Sequence, residues 1–379
     1  MTPADVTPAG MTPAARRAGD LVAAFDVLLV DLDGTVYRGG VAIDGAVDSI
    51  QACTALGVRS VYVTNNASRG PAAIAGQLTQ AGLPTGPDDV VTSAQAGARL
   101  LASLVGPGTD ALVVGSEHLT EEVAAVGLRP VSSRAPIEQV RAVGAVVQGF
   151  DPGLAWRDVA AAGYALATGA PWVATNTDLT IPTADGIAPG NGSLVAMVAA
   201  VVGRRPVVAG KPERPLVDQA IERTGAQAPL VVGDRLDTDI RAGVRAGLPT
   251  LLVLTGVSGP ADLVDASPAE RPTHLAADLS GLLRPALVAR RDDTGSWSCG
   301  GWTAAARDGR LAVRRTPGPA GDHRDGRSAQ PASEHLDDRV AGLWALAHLA
   351  WEVRDKGAPT TASEPAEALD ALGWTRTVS

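Results

Sequence analysis

The sequence predicts an α/β protein: a parallel-sheet unit, a second α/β unit inserted into it, and a small α+β module at the C-terminal end. Three observations predict it. From residue 25 to about residue 285, short apolar runs alternate with helix-length segments, the rhythm of βαβ units. The runs are aliphatic and continuous, as parallel strands buried on both faces are. Two of them end abruptly in carboxylates, at the strand ends where open α/β sheets place ligands.

Taken in order, Met1 to Asp20 is Pro/Ala-rich, carries Arg16-Arg17 and has no apolar h-region, so it reads as a disordered leader rather than a secretory signal. Val27 to Val30 is a strand of four aliphatic residues, Ala46 to Leu56 a helix by its apolar spacing, Ser60 to Val63 a strand, and Ala72 to Ala81 a helix stopped by Gly82 and Pro84. These belong to a first unit covering 21–91 and 186–285. Residues 92–185 form the inserted unit, with strands at Ala111 to Val114, Gly144 to Val147 and Trp172 to Thr175, and helices at Ala94 to Leu104 and Trp156 to Leu166. Asn176 to Gly192 holds three Gly and two Pro and reads as the return crossing. Then follow a helix at Leu194 to Val202, the turn at Lys211, a helix at Pro215 to Thr224, a strand at Pro229 to Val232, a helix through Ala246 and a strand at Thr250 to Leu254. From residue 286 the composition changes. Two short strands flank Asp308-Gly309, an aperiodic loop runs from 316 to 333, and Arg339 to Val353 has amphipathic spacing. Five of the seven Trp fall here, so residues 286–379 read as a separate module.

With 379 residues, two or three cores are expected, and only 3% aromatic residues means that they are built from Ala, Val and Leu. A net charge of -9 argues against binding nucleic acid or an acidic membrane surface, and the longest apolar stretch is too short to span a bilayer. Cys53 and Cys299 stand far apart without metal-type spacing, which points to a reducing cytoplasmic setting.

The chemistry concentrates in four places. Asp31-Leu32-Asp33-Gly34-Thr35 follows the first strand, and two acids there need a compensating charge, for which a divalent cation is the usual choice. An EF-hand loop is excluded, because the twelfth residue from Asp31 is Ala42 rather than a bidentate Glu. Thr64-Asn65-Asn66 ends the next strand. Lys211 is one of only two lysines against thirty arginines, which suggests a site needing a compact point charge. Gly233-Asp234 ends another strand, with Asp239 five residues on. In a doubly wound sheet these strand ends converge. His118 and His274 read as structural, Arg204-Arg205 and Arg314-Arg315 as solvated faces.

Together with Ala174-Thr175-Asn176-Thr177-Asp178, Pro189-Gly190-Asn191-Gly192-Ser193-Leu194 and Gly210-Lys211-Pro212, these segments resemble the class IIA phosphatases of the haloacid dehalogenase superfamily over residues 25 to 285. The resemblance implies a Rossmann-like core with an α/β cap of the C2 type. It also implies hydrolysis of a small phosphomonoester, glycerol 3-phosphate first, with a nucleotide, phosphoglycolate or pyridoxal phosphate as alternatives. Asp31 would be the nucleophile, and Asp33 the acid that protonates the departing alkoxide and then the base for water. Mg²⁺ would be held by Asp31, the Asp33 backbone carbonyl and Asp234, with Asp239 orienting its waters. Thr64, the amides of Asn65 and Asn66, and Lys211 would bind the phosphoryl oxygens. Ile181 stands where pyridoxal phosphate phosphatases carry a cap-loop His; it offers the ring no hydrogen bond, which argues against that substrate. Pairing of two copies through the cap is a further implication. The tail resembles a truncated acetyltransferase-like (GNAT-like) appendage. It has no glycine-rich loop for a pyrophosphate, so acyl transfer is not expected, and a bifunctional protein is the alternative from another class.

Overall fold

The computed structural model describes residues 19–183, 185–307, 310–316, 332–357 and 364–374. Most of the expected leader, residues 1–18, lies outside them, as do the turn at 308–309 and most of the loop at 316–333. Asp20 bridges to Pro285, which ties the start of the described chain to the end of the first unit.

Six parallel strands form the first sheet, in the order His274–Ala276, Thr250–Val253, Pro229–Gly233, Val27–Val30, Arg59–Thr64, Val90–Thr92. All four residues of Val27–Val30 are buried. They alternate between two cores: Leu28 and Val30 pack on one face, Val27 and Leu29 on the other, as period-two geometry requires. The helix Ser93–Leu104 starts in a capping box, with Thr92 Oγ1 accepting from the Gln95 amide at 3.3 Å and Gln95 Oε1 accepting from the Thr92 amide at 3.2 Å.

A second parallel sheet has the order Val207–Val208, Trp172–Ala174, Ala145–Gln148, Asp110–Val114, Arg129–Ser132. One of its faces shares a continuous core with the first sheet, through Ala98, Leu101 and Leu216. The helices Trp156–Leu166 and Asn191–Val202 cover its other face.

Two expectations need correction. Residues 176–192 are not the return crossing: they contain an antiparallel hairpin, Thr180–Thr183 with Gly186–Pro189. The chain stays with the second sheet past residue 186, because Val207–Val208 pairs with Trp172–Ala174. It crosses back at Ala209, whose amide donates to Ala174 O at 3.0 Å and whose carbonyl accepts from Leu216 N at 3.1 Å.

The C-terminal residues form a four-stranded antiparallel sheet, Arg290–Arg291, Trp297–Cys299, Trp302–Arg307 and Arg310–Arg315, packed on the helix Ala332–Asp355. They are not a module apart. Trp302, Trp344, Leu346 and Trp351 share one core with Leu236, Ile240, Leu252, Leu263 and Leu275 of the first unit. Trp351 Nε1 donates to Leu263 O at 3.0 Å, and Arg271 holds Asp355 through two 2.7 Å bonds. The composition change at 286 marks a change of side-chain type, from aliphatic to Trp-rich, rather than a break in the core. Among the described residues, no helix is long and apolar enough to cross a membrane.

Candidate active site

Val27–Val30 lies between Arg59–Thr64 and Pro229–Gly233, with Val30 level with Tyr62 on one side and Val232 on the other. Whatever follows these strands emerges together: Asp31, Thr64-Asn65-Asn66 and Asp234. This is the point where successive strands depart to opposite sides, the place where such sheets hold ligands. Lys211 enters from the return crossing. Its Nζ lies 2.5 Å from Asp31 Oδ1 and 2.6 Å from Asp239 Oδ1, and it donates to Val63 O at 2.9 Å.

Asp31, Asp234 and Asp239 each present a carboxylate oxygen within 4.8 Å of the others. Three carboxylates against one ammonium leave two negative charges uncompensated in a buried place. Burial pushes the Asp31 pKa well above the usual carboxylate range; Lys211 opposes this, and Asp239 and Asp234 add to it. Burial, then Asp239, pushes Asp234 up to about 6, against the Val257 amide that donates to it at 2.7 Å. Burial works against the Lys211 ammonium too, but Asp239 and Asp31 outweigh it and raise its pKa. An all-oxygen donor set with an excess of two negative charges fits a hard divalent cation.

The backbone is shaped to this cluster. A Cβ on Gly34 would fall 2.4 Å from Asp234 Oδ2 and one on Gly256 1.8 Å from it, so only glycine lets both loops close on that carboxylate. Thr35 Oγ1 donates to Asp234 Oδ1 at 3.4 Å. Asp33 is exposed to solvent yet flanked by protein, and the partial loss of water raises its pKa against the fields of Lys211 and Arg69.

Several expected residues are employed differently from the sequence reading. Asp239 joins the carboxylate cluster and pairs directly with Lys211, rather than standing behind the cluster. The Asn66 amide donates to Thr64 Oγ1 at 3.1 Å, and its side-chain oxygen accepts from Ser68 N at 2.9 Å, folding the loop on itself. The Asn65 side chain turns to the Lys211 backbone and to Asp178. The Asp33 carboxylate is not in the cluster of three. Ile181 sits on the hairpin opposite Ala188, three residues past Asp178. The sequence put Asp178 in a family-like string without giving it a role; burial raises its pKa, against the Asn65 hydrogen bond and the fields of Arg235 and Lys211. The same string held Asn176, also without a role, whose Nδ2 donates to Asn65 O at 2.7 Å. The only signal was their place in a motif-like string before a turn.

Comparison with known proteins agrees with this geometry. Residues 28–129 match a family model described as haloacid dehalogenase-like hydrolase, and residues 208–282 match a second, HAD-hydrolase-like model. Both end before the C-terminal sheet, so the acetyltransferase-like resemblance of the tail is not supported by them. The chain is 42% identical over 330 residues to the D-glycerol 3-phosphate phosphatase of Mycobacterium tuberculosis, covering 87% of this chain and 86% of that protein. It is 35% identical over 248 residues to a 5'-nucleotidase of Bacillus subtilis, covering 65% of this chain and 93% of that one. A crystal structure of glycerol phosphate phosphatase from Mycobacterium tuberculosis in complex with magnesium superposes with a TM-score of 0.78 at 38% identity, covering 94% of this chain and all of the other (100%). With the buried carboxylates at adjacent strand ends and relatives of this extent, the chain belongs to the haloacid dehalogenase-like hydrolases, within the class IIA phosphatases.

Proposed function

We propose that the chain hydrolyses glycerol 3-phosphate, with Asp31 as nucleophile and Mg²⁺ as cofactor. The observation that carries the reaction is the cluster of half-buried Asp31 with buried Asp234 and Asp239, in which Asp31 and Asp239 pair with the single ammonium of Lys211. The likeness to a D-glycerol 3-phosphate phosphatase over most of both chains supports the substrate.

An Asp31 oxygen attacks phosphorus while the bond to the substrate oxygen breaks, leaving the phosphoryl group on Asp31. Asp33, with a raised pKa, gives its proton to the departing alkoxide, then takes one from the water that attacks the aspartyl phosphate. Inorganic phosphate leaves and both carboxyls return to their starting states. Lys211, held charged, and the Thr64 hydroxyl stabilise the phosphoryl oxygens. Magnesium, held by the Asp31 and Asp234 carboxylates and the Asp33 carbonyl, would supply neutralisation of the phosphate charge. Ile181 on the hairpin offers a pyridine ring no hydrogen bond, which leaves a small polyol phosphate or a nucleotide open.

Two coarser features fit the same reading. Cys53 and Cys299 are both free and buried, consistent with a cytoplasmic setting. Exposed Trp156, Met197 and Val201 on the cap's outer helices would suit pairing of two copies. Phosphate release over a panel of glycerol 3-phosphate, 5'-nucleotides, phosphoglycolate and pyridoxal phosphate tests the substrate. The highest kcat/KM is expected for glycerol 3-phosphate, and a nucleotide ahead of it would replace that assignment.

A further inference from the structure

Asn65 makes more hydrogen bonds across the two sheets than its place in a short loop explains. Its side-chain amide pairs with the peptide groups of Lys211 on both sides: Oδ1 accepts from Lys211 N at 2.8 Å, and Nδ2 donates to Lys211 O at 2.9 Å. The same Nδ2 donates to Asp178 Oδ2 at 3.1 Å, on the segment that leads into the hairpin. Its own carbonyl accepts from Ser93 Oγ at 2.6 Å and from Asn176 Nδ2 at 2.7 Å. Asp178 is fixed in turn: its carbonyl accepts from Gly192 N at 2.9 Å and its amide donates to Asn176 Oδ1 at 3.2 Å. The approach leaves no room beside it, since a Cβ on Gly210 would lie 2.6 Å from Asn65 Oδ1 and 2.5 Å from Thr175 O.

We infer that Asn65 is a positioning residue that sets Lys211 against Asp31, and that Asp178 makes that setting depend on the cap. A lysine on a four-carbon stem has many rotamers, so a fixed backbone adds to the hold that Val63 O and Asp239 have on its ammonium. The two-point clamp fixes the peptide on either side of the Lys211 Cα, in the manner of a paired strand residue. The second bond from the same Nδ2 means that displacing the Asp178 segment loosens the clamp. The inference rests on the phosphatase reading above, because the aimed ammonium matters only if it meets a phosphoryl oxygen.

A double-mutant cycle tests it in the full chain with Mg²⁺, using para-nitrophenyl phosphate turnover and, separately, the affinity for inorganic phosphate by calorimetry. Asn65→Ala should lower kcat/KM by roughly 10- to 100-fold and weaken phosphate binding, yet add less than about twofold loss in a Lys211→Ala background, since residues acting through one another are not additive. Asp178→Asn, a milder change, should lower kcat/KM by about three- to tenfold in the wild type and leave Asn65→Ala unchanged. Losses that multiply in either double mutant would overturn the inference while leaving the phosphatase intact. A wild-type chain that neither turns over phosphomonoesters nor binds phosphate would instead remove the functional reading itself. Should Asn65→Ala fail to fold, the Asp178→Asn and Lys211→Ala pair alone decides: multiplying losses refute coupling through the clamp, and non-multiplying losses support it.

Discussion

The Lys211 ammonium lies 2.5 Å from the Asp31 carboxylate, although 180 positions separate the two residues in the sequence. The contact pre-aims the cation at the proposed nucleophile. It also means that the shape of the cation matters. Lys211 is only 3% exposed, so Lys211→Arg, which keeps the charge, should overpack the site by about 1–3 kcal/mol and remove most activity. Thermal melting and phosphate release measure the two effects; full activity in the Arg variant would show that a fork fits where a point charge was argued.

Asp31→Asn should abolish turnover and, without Mg²⁺, raise the melting temperature, because burial, with Asp239 and Asp234, disfavours the Asp31 charge more than Lys211 favours it. A stability gain with loss of function separates this role from a merely structural one. Retained turnover would rule out the aspartyl-phosphate route.

Asp33→Asn separates the two halves of the reaction. Its loss should cost roughly 10²–10⁴ in kcat for an alcohol leaving group. With para-nitrophenyl phosphate, whose leaving group needs little acid help, one equivalent of nitrophenol should appear in a burst before slow hydrolysis. Rapid mixing would reveal the burst, and equal, burst-free losses on both substrates would contradict an acid role.

Metal removal should interact with pH. Asp31 and Asp234 have folded pKa values raised above their unfolded ones, so in the metal-free protein their contribution favours folding at low pH and is lost as pH rises, for Asp234 through about 6. A bound cation reverses the requirement, because it needs the carboxylates ionised. The rise in melting temperature on adding Mg²⁺ should therefore be larger at pH 8 than at pH 5. An equal rise at both would argue that the ion binds elsewhere.

His348 gives the opposite sign. It stacks on Trp297 at 4.7 Å, and burial, with Arg271 nearby, lowers its pKa to about 4. The unfolded chain gains a proton near pH 6.5 that the native state refuses, so stability is fully present above that pH and falls until about pH 4. The ceiling is about 3 kcal/mol, reduced by solvent at the partly exposed ring. Melting from pH 4 to 7 with Mg²⁺ present should show a smaller acid loss in His348→Gln than in the wild type; parallel curves would exclude it.

The chemistry was legible where a physical conflict was visible in the string itself. Carboxylates directly after the buried run at Val27 to Val30 demanded compensation, and Lys211 stood out because arginine serves elsewhere. The parallel sheet followed from the alternation of strand and helix signals, whereas the order of its strands did not. The roles of Asp178 and Asn176 were hidden because a polar residue in a turn-rich segment needs no partner to be tolerated. Val207–Val208 was hidden too, since two valines before a glycine turn carry no mark of which sheet they join. The shared core behind the tail was not readable because Leu236, Leu252 and Leu275 look like residues of their own unit alone.

The grip of Asn65 on both Lys211 and Asp178 has a practical bearing on protein engineering. Substrate range in this fold would be altered by transplanting a donor cap between the two crossings, leaving the acid cluster alone. Any such graft has to bring an acceptor to the spot held by Asp178 and an amide to that of Asn176, or the recipient's lysine would lose its aim however well the new lid covers the leaving group.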